Sequence, residues 1–327
     1  MGRFDRPYSE ELVKHVIHST IFASAMLLAG TAFAADYTVM APAAPGGGWD
    51  QTARALQQVW QDEALGNMEV VNVPGAGGTV GIAQFASQQA GNPNALMVGG
   101  YVMVGAILTN ASPVTLDDVT PIARLTGEYE AIGVRAESPI ENIEDLVEML
   151  LADPGSVSWA GGSAGGTDHI GAGLFAKAVG ADPTQVNYIA FSGGGESLAS
   201  ILGGQVTVGI SSVSEFREQV EAGTMRILAV SSEERLEGID APTLVESGID
   251  VVLQNWRSVS APPDLTEEQV ASIIADIEAA VQTDTWKEIL ADRGWIDTFL
   301  AGDAFAEQLE QDKASTEAIL REIGLVQ

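Results

Sequence analysis

Short runs rich in apolar and β-branched residues alternate, along most of the chain, with stretches whose apolar positions recur at helical spacing. Residues 37–40, 69–73, 95–99, 120–125, 156–160, 187–191, 206–210 and 226–230 read as strands. Helices are expected over about 49–60, from 79 to about Ser87, and over 143–151, the last stopped by Asp153-Pro154-Gly155. From about Thr266 to Ile323 the pattern is mostly helical. This alternation predicts an α/β fold with largely parallel pairing, because each return to a parallel strand needs a crossover, usually helical.

One local pattern recurs. A β-rich run ends in a glycine cluster, and a helix opens at once. It occurs at Pro45-Gly46-Gly47-Gly48-Trp49-Asp50, at Pro74-Gly75-Ala76-Gly77-Gly78, at Gly161-Gly162-Ser163-Ala164-Gly165-Gly166 and at Ser192-Gly193-Gly194-Gly195. No fixed period links the four, so no solenoid is implied. Each can aim unpaired backbone N–H groups at an anion, and glycine lets a ligand approach the backbone closely. A single such turn is an ordinary strand-to-helix connection. Four in one chain predict that at least two line a ligand site at the carboxyl ends of strands.

The first residues carry a different signal. Behind Lys14 and His15, residues 16–34 form an apolar stretch that closes on Ala32-Phe33-Ala34. That small-x-small ending predicts a secretory signal over residues 1–34, cleaved before Ala35, and a periplasmic mature protein. An uncleaved anchor is the alternative, since the run approaches the ~20 residues that span a bilayer. The polar start at His18, Ser19 and Thr20 weighs against it. No later apolar run is long enough to cross, so no direct membrane insertion is expected of the mature chain.

Composition narrows the class. The 327 residues suggest about two domains, and 46% apolar content excludes a disordered acidic tail despite 45 acids against 15 bases. The segment before Ala35 holds three acids and three bases, so its removal leaves the net charge at -30. A surface this negative speaks against nucleic acid as a partner. The absence of cysteine removes disulfides, thiolate zinc sites and thiol nucleophiles. Past residue 34 the only histidine is His169, too little nitrogen for a zinc or copper site, and no EF-hand spacing occurs. No metal or cofactor is expected.

Enzyme readings are weak. Gly161-Gly162-Ser163-Ala164-Gly165 matches the G-x-S-x-G elbow of serine hydrolases, between a strand and a helix. The required histidine base comes from elsewhere in such folds, whereas His169 lies six residues downstream of Ser163. Residues 45–50 lack the Gly-Lys-Ser/Thr ending of a P-loop, and Val80 breaks the dinucleotide fingerprint begun at Gly75. The chain reads as a binder and not an enzyme, with an exported hydrolase using Ser163 as the alternative.

These motifs resemble the solute-binding proteins of tripartite tricarboxylate transporters, the TctC or Bug family, over about residues 37–326. Besides the four glycine loops, Gly166-Thr167-Asp168-His169, Leu202-Gly203-Gly204-Gln205, Ala241-Pro242-Thr243-Leu244 and Asn255-Trp256-Arg257 carry the likeness. The resemblance implies a two-lobed, periplasmic-binding-protein-like α/β fold with a ligand cleft between the lobes. It places residues 35–136 with 231–327 in one lobe and 137–230 in the other, with hinges near Arg135 and Val230. It implies a monomer that binds a small di- or tricarboxylate, citrate-like by preference, and delivers it to a membrane permease. A sensor feeding a signalling partner would use the same lobes.

Carried onto this chain, the resemblance implies a site of Ala44, Gly47, Gly48 and Trp49 from the first loop. Ser163, Gly166 and Thr167 come from the third, and Gly194 and Gly195 from the fourth, with Tyr101 at the cleft. Asp50 is expected to brace its helix. His169 either bonds within its lobe or donates to the ligand; Trp49 either packs in the core or walls the ligand. Arg257 either pairs with an acid or faces the cleft. The charge of -30 then becomes a property of the surface, adapted to a saline surrounding, because helix starts supply local positive potential without lysine or arginine.

Overall fold

Tyr37–Ala41 (β1) and Ala95–Gly100 (β3) are almost wholly buried, as strands covered on both faces must be. In the computed structural model, which describes residues 36–327, they pair in parallel with each other. Met68–Asn72 (β2) pairs in parallel with the far side of β1. The crossovers are Gly48–Asp62 (α1) and Thr79–Gln88 (α2), and Tyr101–Thr109 (α3) follows β3 directly. The expected signal segment, residues 1–34, lies outside the described residues.

Thr120–Arg135 (β4) is a 16-residue strand, far longer than the expected 120–125. Its partners change along its length. Up to Tyr129 it runs antiparallel to Gln254–Ala261 (β9) and, on its other edge, to Ile296–Ala301 (β10). From Glu130 it runs antiparallel to Val208–Ser212 (β7) and Met225–Val230 (β8). The parallel expectation therefore holds among β1 to β3 and fails along β4.

The second half repeats the alternation. Ile143–Ala152 (α4), opened by an Asn142–Asp145 capping box, precedes Ser158–Gly161 (β5). Then come Thr167–Ala178 (α5), Asn187–Ala190 (β6), Gly194–Leu202 (α6), β7 and Val213–Glu221 (α7). Strand β5 pairs in parallel with β6 and with β7. Its neighbours Trp159 and Ala160 fall in separate apolar clusters, with Phe175 on one face and Phe216 on the other. A third cluster joins β1, β3 and β9 to α1, α2 and the C-terminal helices through Trp60, Phe85 and Trp286.

The mostly helical reading of 266–323 holds, with one strand that it did not contain. Glu267–Val281 (α8), Asp284–Arg293 (α9) and Gly302–Glu322 (α10) are helices, but β10 interrupts them. Gly294 ends α9 in the left-handed region, at φ 66°, and the chain turns back onto the open edge of β4. Among the described residues no helix is long and apolar enough to cross a membrane.

Candidate functional site

All four glycine loops open onto one cavity of about 560 Å³. The loop after β1 contributes Ala44, Gly47, Gly48 and Trp49; the loop after β2 contributes residues 74–78. From the opposite side come Ser163, Gly166 and Thr167 after β5, and Ser192, Gly193 and Gly194 after β6. Helices α1, α2, α5 and α6 start there at Gly47, Gly78, Gly166 and Gly193, and none has a side-chain cap. Their first-turn N–H groups therefore present positive potential to the cavity instead of to a serine or aspartate.

Close packing holds the loops in place. Gly78 sits at φ +89°, and a Cβ there would lie 2.7 Å from Met103 and 2.8 Å from the Trp49 ring. Trp49 thus serves both expected readings: it is packed at 8% exposure and it walls the cavity. Across the cavity, a Cβ on Gly105 of α3 would collide with the carbonyl oxygen of Gly165. Thr109 Oγ1 lies 3.4 Å from the Ala164 carbonyl oxygen beside it.

Four of the expected residues lie outside the cavity lining. Asp50 accepts from Gly46 N at 2.7 Å, Arg54 Nε at 3.0 Å and Asn72 Nδ2 at 2.9 Å, so it ties the first loop to α1 and β2. Burial pushes its carboxyl group up, and these bonds outweigh burial and hold it below its usual range. Tyr101 is buried edge-on against Trp256. Gly195 is exposed in the first turn of α6.

His169 is the fourth. Its Nδ1 accepts from Gly165 N at 3.2 Å and its ring stacks on Tyr188 with centroids 4.0 Å apart. Burial lowers its pKa to about 4, so the ring is neutral at pH 7 and braces the third loop from behind. Because Nδ1 accepts from Gly165 N, the neutral ring carries its proton on Nε2 and has no lone pair there with which to take a proton from Ser163.

Sequence reasoning left several wall residues unplaced. Asn110, Asp168, Ser211, Ser212, Glu215 and Asn255 all line the cavity. Arg257 lines it as well and is also paired with Glu128, so both of its expected readings hold. A Cβ on Gly48 would lie 2.6 Å from the Arg257 guanidinium, which brings that cation to the first loop. Glu128 also accepts from Ser214 Oγ at 2.5 Å, and Arg257 stacks over Trp295 at 4.9 Å. One signal was available: Glu128 and Glu130 stand at alternate positions as the only charged residues between Arg124 and Arg135. Among the described residues no group of three or more histidines and acids is arranged to hold a metal ion.

An α/β chain with helix starts converging on one cavity has the fold of the periplasmic binding proteins. Within that class the chain belongs to the tripartite tricarboxylate transporter family receptors, whose profile matches residues 52–325. BugT of Bordetella pertussis is 26% identical over 311 residues, covering 94% of each chain. A TctC solute-binding protein from Polaromonas, solved with no ligand, is 26% identical at a TM-score of 0.65, over 88% of this chain and 98% of that one. MatC of Rhodopseudomonas palustris, solved with bound malate, superimposes at a TM-score of 0.77 with 22% identity, over 87% of this chain and 98% of its own. A second R. palustris protein, solved with adipate, reaches 0.79 with 21% identity, over 88% and 97%.

Proposed function

We propose that the mature protein is the periplasmic receptor of a tripartite tricarboxylate-type transporter, which binds a small di- or tricarboxylate and delivers it to a membrane permease. The observation that carries this is the convergence of four helix starts without side-chain caps on one cavity. Its volume of about 560 Å³ suits a compact organic acid. One carboxylate of the ligand sits against the N–H groups of α1 and α5, with Ser163 and Thr167 beside it. The malate and adipate held by the two R. palustris proteins support dicarboxylates alongside citrate as ligands.

The lobes comprise residues 35–136 with 231–327, and 137–230. The ladder partners of β4 change between Tyr129 and Glu130, so the crossing at this hinge falls a few residues before Arg135. Because each lobe supplies part of the wall, binding closes them and presents the permease with a composite surface. Residues 1–34 direct export and are removed before Ala35.

Isothermal calorimetry of the mature chain against malate, adipate and citrate tests the assignment. At least one of the three should bind with a Kd of about 10 μM or tighter, near −7 kcal/mol. No heat from any of them at micromolar protein would reject it.

A further inference from the structure

The cavity end built by β4, β7 and β9 differs from the glycine-loop end. Two acids reach its wall, Asp168 in the first turn of α5 and Glu215 on α7. Behind them, on one face of β4, lie Glu128 and Glu130 at 2% and 1% exposure. A single guanidinium, that of Arg257, opposes these four carboxyl groups, and it is already paired with Glu128. Arg293 shares the Trp295 ring with Arg257 from outside the wall. Tyr188 completes the surroundings, but its hydroxyl donates to the Gly162 carbonyl at 2.9 Å and not to an acid.

One buried donor here, Nη1 of Arg257, has no hydrogen-bond partner among the described residues, whereas Glu130 shares a side-chain hydrogen bond with Asp168. Arg257 is 4% exposed and lines the cavity. A buried donor left unused at a binding wall calls for an acceptor brought by the ligand. The second group of the ligand is therefore anionic too, and it arrives beside Asp168 and Glu215.

Carboxyl groups packed this closely do not all stay ionised next to an incoming anion. We infer that the cleft takes up its anion together with a proton from solvent, held on the wall acids Asp168 and Glu215, which then donate hydrogen bonds to the second carboxylate of the ligand. The inference rests on the carboxylate-receptor reading above and deepens it. Specificity is for a polycarboxylate whose far group is read by one guanidinium and by neutral acids.

The free cleft is already poised for this. Burial first, then the charge of Glu128, raises Glu215. Burial brings Asp168 up to about 7. Glu130 is pushed well above its usual range by burial and by Asp168, Glu128 and Glu215, with Arg257 pulling the other way. Ser211 Oγ donates to Oε2 of Glu215, which leaves Oε1 to carry the proton.

The test is calorimetry of malate, adipate and citrate at pH 7.5 in phosphate and in Tris, whose different ionisation heats count protons. About half to one proton should be taken up per ligand, and affinity should fall severalfold per unit from pH 6 to 8, toward a limit of about tenfold for one proton. Glu215→Gln donates at every pH, so it should take up at most about half as many protons and bind at pH 8 at least about threefold tighter than the unaltered protein. Heat independent of the buffer in the unaltered protein overturns the inference and leaves the receptor reading standing. No heat from any of the three acids at any pH overturns both. Loss of binding by Glu215→Gln at an unchanged melting temperature also overturns it, because Glu215 would then be accepting from a cationic group. If that variant fails to fold, the proton count of the unaltered protein decides alone.

Discussion

Asp168 and His169 are neighbours in which burial disfavours charge alike, and so shifts the two pKa values in opposite directions. Asp168 has a folded pKa of about 7, above its ordinary 3.8. Its contribution to stability is complete below 3.8 and is lost as pH rises through 7. His169 has a folded pKa of about 4, below its ordinary 6.5. Its contribution is complete above 6.5 and is lost as pH falls toward 4. Between those limits the two slopes oppose each other. In ligand-free protein, the stability of Asp168→Asn relative to the unaltered chain should therefore rise with pH from 4 to 6.5, and that of His169→Gln should fall. Each slope is at most about 1.4 kcal/mol per pH unit, and urea titrations at several pH values measure both. Profiles that run parallel would contradict the assignment. Gly78 supplies a pH-independent prediction. Alanine there is strained at φ +89° and meets Trp49 and Met103, so Gly78→Ala should cost about 1–3 kcal/mol and weaken carboxylate binding.

At the scale of elements, the contact between α3 and the third glycine loop joins the two sides of the cleft. Gly105→Ala puts a methyl group against the Gly165 carbonyl, and backbone on backbone has no flexible side chain to yield. The two elements must separate. Binding of malate, adipate or citrate should weaken by about tenfold or more, with only a modest fall in melting temperature. Calorimetry and thermal melting on the same preparation check both. The sequence made the strand–glycine–helix units legible because each is a local event: a β run, a turn that needs glycine, and a helix start. It misjudged β4 and β10 for the opposite reason. The extension of β4 past Leu125 passes through Gly127, Glu128 and Glu130, which read as a break until β7, β8 and β9 cover them. Strand β10 exists because the open edge of β4 accepts it, a fact set some 170 residues away.

Over the whole molecule, the charge of -30 is not confined to the surface, since Asp168 and Glu215 line the cavity and Glu128 and Glu130 lie buried behind them. Several of its few cations are spent on surface pairs, such as Lys313 with Asp117 and Glu310, and Lys177 with Glu322. Mutual repulsion among the remaining acids should be relieved by screening, so the melting temperature should rise by several degrees between about 0.05 and 1 M sodium chloride. A flat profile would argue against an adaptation to salt. The sequence by itself determined the glycine-loop half of the cleft, because helix starts and glycine turns are written in contiguous residues. The acid-lined half was decided only by tertiary structure. Antiparallel pairing sets Thr126 against Arg257 and Glu130 against Ser212, so residues more than 80 positions apart become neighbours. The charge state of those acids depends on burial and on one another, and neither exists until the sheet has formed.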